Sequence, residues 1–149
     1  MTPTRVPAAP LLLGVGGLVP FLAGACVLRF GLDIAFVGGP DRVRVSLIVY
    51  AVAILSFLGG VRWGVALGEV RTAVATRQFA IAVLPALIGW GATWLSPRPA
   101  LWTLTGAFVI LGWMDFGWAR QLAQARWYGR LRVGLTLVVS LSLAVSALS

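Results

Sequence analysis

Three ionisable side chains stand inside or at the end of otherwise apolar segments and are the main candidates for chemistry. Arg62 and Glu69 belong to the segment LSFLGGVRWGVALGE at 55–69, and Asp115 belongs to LGWMDFGWA at 111–119. A guanidinium and a carboxylate can pair with each other, bind a charged ligand or line a proton path. Because an unpaired charge is costly in an apolar setting, we expect these groups to be paired or to contact a ligand.

Other kinds of chemistry lack the residues that they need. The sequence contains no His and no Lys, and Cys26 is its one cysteine. Zinc and haem sites are built mainly from His and Cys, and His is the commonest general base. An internal disulfide is excluded as well. We therefore expect no metal site, no cofactor and no catalytic activity of the chain's own.

The composition indicates a membrane protein. Of the 149 residues, 60% are hydrophobic and 11% are charged, with a mean hydropathy of +0.96, whereas about a quarter of the residues in soluble domains are charged. The net charge is +8, and all of the positive charge comes from arginines. Because they lie singly between apolar stretches, anionic lipid headgroups and not nucleic acid are their expected partners.

Five stretches are long and apolar enough to cross the hydrocarbon core, which takes about 20 residues. They lie at 10–28, 45–67, 77–95, 100–119 and 131–148. Short connections join them, and Asp41 is the expected N-cap of the second helix. The sequence predicts an all-α membrane protein, a single domain over 1–149 folded as a five-transmembrane-helix bundle.

The arginines also predict the orientation. Seven lie at the N-terminus and in the second and fourth connections, and four lie on the opposite side. The positive-inside rule then places the N-terminus in the cytoplasm and the C-terminus outside, and we expect a bacterial inner membrane as the location. A competing interpretation makes the N-terminus a signal peptide with a lipid-modified Cys26, although Ala23 and Pro20 do not suit that pattern.

The second span has two different faces at helical spacing. Gly60, Gly64 and Gly68 form a small-residue stripe that predicts close helix packing, inside the chain in preference to a seam between subunits. Arg62 and Glu69 point the other way and share a charged face. Because Glu69 borders a loop, we expect a solvated position in preference to ligand binding.

Asp115 is the expected partner of Arg62. Spans two and four run in the same direction, and the two residues lie at similar depth from the same side. The surrounding segments align without gaps, as Leu58-Gly59-x-x-Arg62-Trp63-Gly64-x-Ala66 and Leu111-Gly112-x-x-Asp115-Phe116-Gly117-x-Ala119. An intramembrane ion pair is predicted; the alternatives are a snorkelling anchor beside Trp63 and a charge that contacts substrate, lipid or protons.

The fourth connection, ARQLAQARWYGRLR at 119–132, is rich in arginine and aromatic side chains. Its simplest role is to bind anionic lipid and fix the topology, and a docking surface for an acidic partner is the alternative. The residues assigned to this lipid or partner surface are Arg120, Arg126, Trp127, Tyr128, Arg130 and Arg132.

Several motifs of the chain resemble those of the family of transmembrane protein 69. The resemblance rests on Tyr50, ILSFLGGVRWG at 54–64, Pro85, Trp90, Asp115, WYGRLR at 127–132 and Leu135-Thr136. It covers about residues 10–148, and it implies a multi-span inner-membrane protein of unassigned activity, with bacterial and mitochondrial members. It supplies no catalytic residues.

Three functions are compatible with these residues. The preferred one is a non-enzymatic accessory or assembly subunit of a larger inner-membrane complex, which contacts lipids, other subunits or a second copy of itself. The second is a small oligomeric carrier or channel with Arg62, Glu69 and Asp115 at its cytoplasmic mouth. The third, an enzyme or a quinone or lipid site among the tryptophans of spans three and four, would depend on carboxylates and arginines alone.

Overall fold

The computed structural model describes residues 6–33, 38–69, 72–121 and 126–149, with only the backbone described at 118–121 and 126. In these ranges the chain forms five α-helices: α1 (Ala8–Phe30), α2 (Pro40–Ala66), α3 (Thr72–Ala92), α4 (Pro97–Gln121) and α5 (Arg126–Leu148). Each contains a stretch long and apolar enough to cross a membrane. The predicted all-α architecture with five candidate spans is confirmed.

Each helix is longer than the apolar stretch that predicted it, because polar residues at the ends continue the backbone hydrogen bonding. α2 begins at Pro40, whose fixed φ suits the first helical position, and Gly39 is its N-cap. The prediction that Asp41 is the N-cap is therefore wrong. Its carboxylate instead accepts a hydrogen bond from Arg44 Nη1 at 2.8 Å.

Two antiparallel hairpins make up most of the bundle. α2 packs against α3 in the first and α4 against α5 in the second, while α1 lies against α5 and α2. α4 also contacts α2 and α3, which joins the two hairpins. As a result, α1, α3 and α5 begin at the same end of the bundle at which α2 and α4 end. We call this the polar end.

The core lies where α1, α2, α4 and α5 meet. Phe21 of α1 and Phe108 of α4 are each 1% exposed, and their rings meet edge to face with centroids 5.9 Å apart. Tyr50 of α2 packs on Phe21 and donates a hydrogen bond to the carbonyl of Gly17 at 3.1 Å. Buried leucines fill the remaining space: Leu47, Leu55, Leu101, Leu104 and Leu143. In a bilayer, such close packing is a main source of helix association.

The close approach of α2 and α3 depends on a glycine outside the predicted stripe. A Cβ at Gly59 would collide with the backbone carbonyl oxygen of Ala82 on α3. At Gly60 and Gly64, no heavy atom of the described chain lies within 4 Å of such a Cβ, and Gly68 follows the end of α2. The prediction that the stripe packs inside the chain is therefore wrong. One residue of helix corresponds to about 100° of rotation, which separates the two faces.

Gly59→Ala and Gly60→Ala form a matched pair that tests this contact. We expect Gly59→Ala to lower the free energy of unfolding by about 1–3 kcal/mol, the usual cost of overpacking, because α2 and α3 would have to separate. Gly60→Ala puts its methyl group into open space and removes a glycine from a helix, so it should be neutral or slightly stabilising. Unfolding by SDS in mixed micelles measures both, and equal values for the two variants would contradict the packing.

Candidate functional site: an Arg–Asp–Arg cluster

Asp115 lies between two arginines. Arg62 Nε donates a hydrogen bond to Asp115 Oδ1 at 2.9 Å, and Arg132 Nε donates one to Oδ2 at 2.8 Å. Arg62 Nη2 also lies 2.9 Å from Oδ1, close enough for an ion pair but without hydrogen-bond geometry. The structure thus contains the ion pair predicted between Arg62 and Asp115 and adds Arg132 as a second partner. We call these three residues the Arg–Asp–Arg cluster.

Three different helices position the cluster at the polar end of the bundle. Arg62 precedes the last residue of α2 by four positions, Asp115 precedes the last residue of α4 by six, and Arg132 follows the first residue of α5 by six. At 1.5 Å of rise per residue, all three lie about 6–9 Å from the helix ends. The parallel course of α2 and α4 brings two of the side chains to one depth, and α5 returns to supply the third.

The cluster is buried, and its charges do not cancel. The side chains of Arg62, Asp115 and Arg132 are 20%, 4% and 6% exposed. Two guanidinium groups, which stay protonated at any physiological pH, face one carboxylate. Nη2 of each arginine is buried and has no hydrogen-bond partner within the described residues. The cluster therefore combines an excess of one positive charge with a buried Nη2 donor on Arg132 that makes no hydrogen bond within the described residues, an arrangement suited to an acceptor or an anion.

Two further candidates of the second span lie outside the cluster. α2 ends at Ala66, so Glu69 stands in the connection after the helix. The prediction that Glu69 shares a helical face with Arg62 is therefore wrong. Trp63 is 45% exposed and packs against Phe79 of α3, with ring centroids 4.7 Å apart. Trp63 is thus an outward-facing aromatic contact between α2 and α3.

The arginine-rich segment at 119–132 is largely helical and does not form one surface. α4 continues to Gln121 and α5 begins at Arg126, so most of the predicted connection belongs to the two helices. Arg130 is exposed, whereas Arg132 is 5% exposed and bound to Asp115. The assignment of Arg132 to an exposed surface for lipid or a partner is therefore wrong.

The aromatic residues of this segment are neither fully exposed nor fully buried. Trp127 and Tyr128 are half-buried, and their rings meet edge to face with centroids 6.1 Å apart. The side chains of Arg120 and Arg126, which were assigned to the same surface, lie outside the described residues.

A helical pattern in α5 was the signal that could have revealed the role of Arg132. Arg132, Thr136, Val139 and Leu143 follow one another at intervals of four, three and four residues, and all four are buried. This spacing defines one face of a helix. Because Arg132 already lies inside the predicted stretch 131–148, this pattern would have placed it on the buried face of α5 that packs against α4.

A cavity of about 340 Å³ opens beside the cluster between α2 and α3, and half of its lining residues are apolar. Its polar lining residues are Arg62, Arg77, Gln78, Asp115 and Tyr128. The volume lies at the lower end of the range found for ligand sites, about 300–1,000 Å³. In the part of the chain that the structure describes, no three His, Cys, Asp or Glu side chains gather into a group that could hold a metal ion. Arg62 and Arg77 give the polar part of the lining a positive charge, which favours anionic groups there.

Neutralising Asp115 should destabilise the bundle strongly. Asp115→Asn leaves two buried guanidinium groups without a counter-charge, and loss of one partner from a buried ionic group typically costs about 3–5 kcal/mol. Arg62→Met should cost less, because Asp115 keeps Arg132 and the net charge falls to zero. Folded yield and SDS-driven unfolding in mixed micelles measure both effects.

Restoring the stability that is lost in Asp115→Asn should require the removal of both arginines of the cluster. A variant in which Arg62 and Arg132 become Met and Asp115 becomes Leu should regain most of the stability lost in Asp115→Asn, since apolar side chains can replace a buried ionic cluster. Arg130→Met is the control, because this arginine is exposed two residues away on α5. A wild-type unfolding curve for Asp115→Asn would overturn the structural importance of the cluster.

Comparison with known proteins identifies a membrane-protein family. Residues 6–148 match the family model described as Protein of unknown function (DUF3429). Transmembrane protein 69 of Xenopus tropicalis is 30% identical over 151 residues. That alignment covers 96% of this chain and 55% of the relative, so the chain spans about half the length of this curated protein. No solved structure matches.

The family predicted from the motifs is thus the family found by comparison. Since the family model extends over nearly the whole chain, and since its helices suit a bilayer, this protein belongs to the DUF3429 family of multi-pass membrane proteins related to transmembrane protein 69.

Proposed function

We propose that this protein is a non-catalytic accessory or assembly subunit of a larger complex in the bacterial inner membrane. In this proposal the N-terminus lies in the cytoplasm and the C-terminus outside, as the positive-inside rule predicts. Its partners are anionic lipids and other membrane subunits or a second copy of the chain. The observation that carries the proposal is an unfilled small-residue face on α2.

This face has the shape that another membrane helix could occupy. Gly60 and Gly64 are exposed, stand one turn apart, and have open space beside them within the described chain. Toward the middle of α2, the same exposed side continues with Phe57, which is 66% exposed, and Ala53. Small residues at four-residue spacing let two helix backbones approach closely in lipid, which is how many membrane helices associate. A helix from another subunit or from a second copy would therefore gain close contact here.

The Arg–Asp–Arg cluster suits a structural part in such a subunit. Its hydrogen bonds join α2, α4 and α5 to one another. Because both oxygens of Asp115 accept hydrogen bonds from guanidinium groups and its side chain is 4% exposed, the carboxylate is poorly accessible to a substrate. These contacts favour a fixed scaffold over a reaction centre.

Gly64→Leu and Gly134→Leu test the proposed association face. Gly134 of α5 is also exposed with open space beside it, so it provides a matched control. After extraction in mild detergent, we expect mass spectrometry to find a stoichiometric partner or a defined oligomer with the wild type and with Gly134→Leu. We expect Gly64→Leu to lose most of that association at an unchanged thermal midpoint. A monomer without partners, or equal association in both variants, would overturn the proposal.

A second candidate function, an oligomeric carrier or channel, is favoured by the cavity between α2 and α3 beside the cluster. Arg62, Arg77 and Gln78 give this cavity a lining attractive to anions. A path across the membrane would have to continue through the core, where Leu55, Leu104 and Phe108 are at most 1% exposed. We therefore place this candidate second.

Vesicle flux separates the two candidates. If the accessory function is correct, vesicles containing the purified protein should release chloride and phosphate no faster than empty vesicles. Flux above that background that falls in Arg77→Gln would instead support the carrier, because Arg77 lines the cavity and is exposed. The variant also leaves the Arg–Asp–Arg cluster intact.

A further inference from the structure

A larger cavity reaches the Arg–Asp–Arg cluster from the side of α1, and we propose that it binds an anionic lipid. By this we mean an apolar chain that ends in a carboxylate or a phosphate. The cavity has a volume of about 660 Å³ and lies between α1, α2 and α5, with Phe108 of α4 behind them. The inference does not depend on the accessory function, because it concerns a site inside the chain and not the outer face of α2.

The body of the cavity is apolar and opens toward the bilayer. Phe21 and Phe108, each 1% exposed, belong to its lining, and so do Leu13 and Phe57, which are 79% and 66% exposed. The lining thus runs from the buried core to the outer surface of the bundle. A lipid chain could enter from the hydrocarbon region without passing through water. This combination of depth and access is suited to a single apolar chain.

Two residues in the lining of this apolar cavity carry a buried polar atom that makes no hydrogen bond within the described residues. Arg132 and Thr136 lie four residues apart on one face of α5, and both belong to the lining. Arg132 Nη2 and Thr136 Oγ1 are buried and have no hydrogen-bond partner within the described residues. Because Asp115 holds Arg132 Nε at 2.8 Å, the guanidinium is fixed in place with its Nη2 donor unused. A buried donor without an acceptor is costly, so an acceptor in this position would stabilise the structure.

The charge of the cluster favours an acid as that acceptor. Arg62 and Arg132 together carry two positive charges, and Asp115 carries one negative charge. A neutral headgroup, such as an alcohol or a quinone carbonyl, would accept a hydrogen bond and leave the excess charge uncompensated. A carboxylate or phosphate would accept the bond and bring the site to neutrality. The ligand is therefore expected to combine one apolar chain with an anionic headgroup.

Native mass spectrometry of the delipidated 149-residue chain in detergent tests the requirement for charge. Oleate and oleyl alcohol form one pair of probes, and phosphatidylglycerol and phosphatidylcholine with matched chains form the other. We expect the anionic member of at least one pair to bind at least about tenfold more tightly than its neutral counterpart, the difference that one added charge-assisted hydrogen bond can supply. The pair that shows the difference identifies a free acid or a phospholipid as the source. Equal binding within both pairs overturns the proposal.

Two glycines of α1 test the location. A Cβ at Gly17 would meet only Tyr50 Oη, at 3.8 Å, and Gly17 lines the cavity, whereas a Cβ at Gly16 would face open space. Gly17→Leu should fill part of the cavity and weaken binding of the anionic probe at least about tenfold, while Gly16→Leu should bind as the wild type does. Thr136→Val should reduce anion binding several-fold and leave binding of the neutral probe unchanged. Unaltered binding in both Gly17→Leu and Thr136→Val would overturn the assignment.

Photo-crosslinking of the wild type keeps the test independent of whether the variants fold. Stearate with a diazirine on its chain should label Leu13, Phe57 and other lining positions, and an excess of oleate should displace it from them. Trp113 and Leu141, which are 82% and 65% exposed and do not line the cavity, report ordinary contact with lipid. If the cavity-lining positions and the two control positions are labelled equally, and oleate does not displace the probe, a defined site would be contradicted.

Discussion

A carboxylate shared by two guanidinium groups is the interaction on which the polar end of the bundle depends. Buried charges are tolerated only when partners offset the loss of hydration, and Asp115 meets that condition with one arginine on each oxygen. The three residues come from α2, α4 and α5, so each of these helices must keep a single rotation about its axis and a single position along the bundle. A slip of one residue would turn a side chain by about 100° and leave charges unpaired. The cluster therefore specifies how these helices align.

The two hairpins pack closely in similar ways next to the Arg–Asp–Arg cluster, and this packing adds to the alignment that the charges impose. Leu58 and Leu111 are both buried, and a Cβ at either Gly59 or Gly112 would meet the next helix along the chain. The positions that follow carry Arg62 and Asp115, which face each other across the interface between the hairpins. Similar packing around residues of opposite charge thus brings the two halves together. The small residues allow neighbouring helix backbones to approach closely, and the ion pair fixes how the two hairpins are aligned.

The excess of positive charge links the architecture to the proposed functions. The cluster contributes Arg62 and Asp115 to the cavity between α2 and α3 on one side and Arg132 to the larger apolar cavity on another. An anionic lipid in the apolar cavity would neutralise the cluster and contact α1, α2 and α5 together. The open face of α2 around Gly60 and Gly64 is a separate surface. A small subunit could thus hold a lipid by one surface and a protein partner by another.

Local sequence determined the number of helices and much of the cluster, and the tertiary structure decided which faces meet. Hydropathy indicates a span because burial in lipid depends on the segment itself, and equal depth in parallel spans was enough to pair Arg62 with Asp115. The predictions for Gly60, Glu69 and Arg132 were wrong for a different reason. α2 ends at Ala66, before Glu69, and the faces of the helices that meet are those in contact with neighbouring helices. Those contacts join residues distant in sequence, and they alone place Gly59 against Ala82 and Arg132 against Asp115.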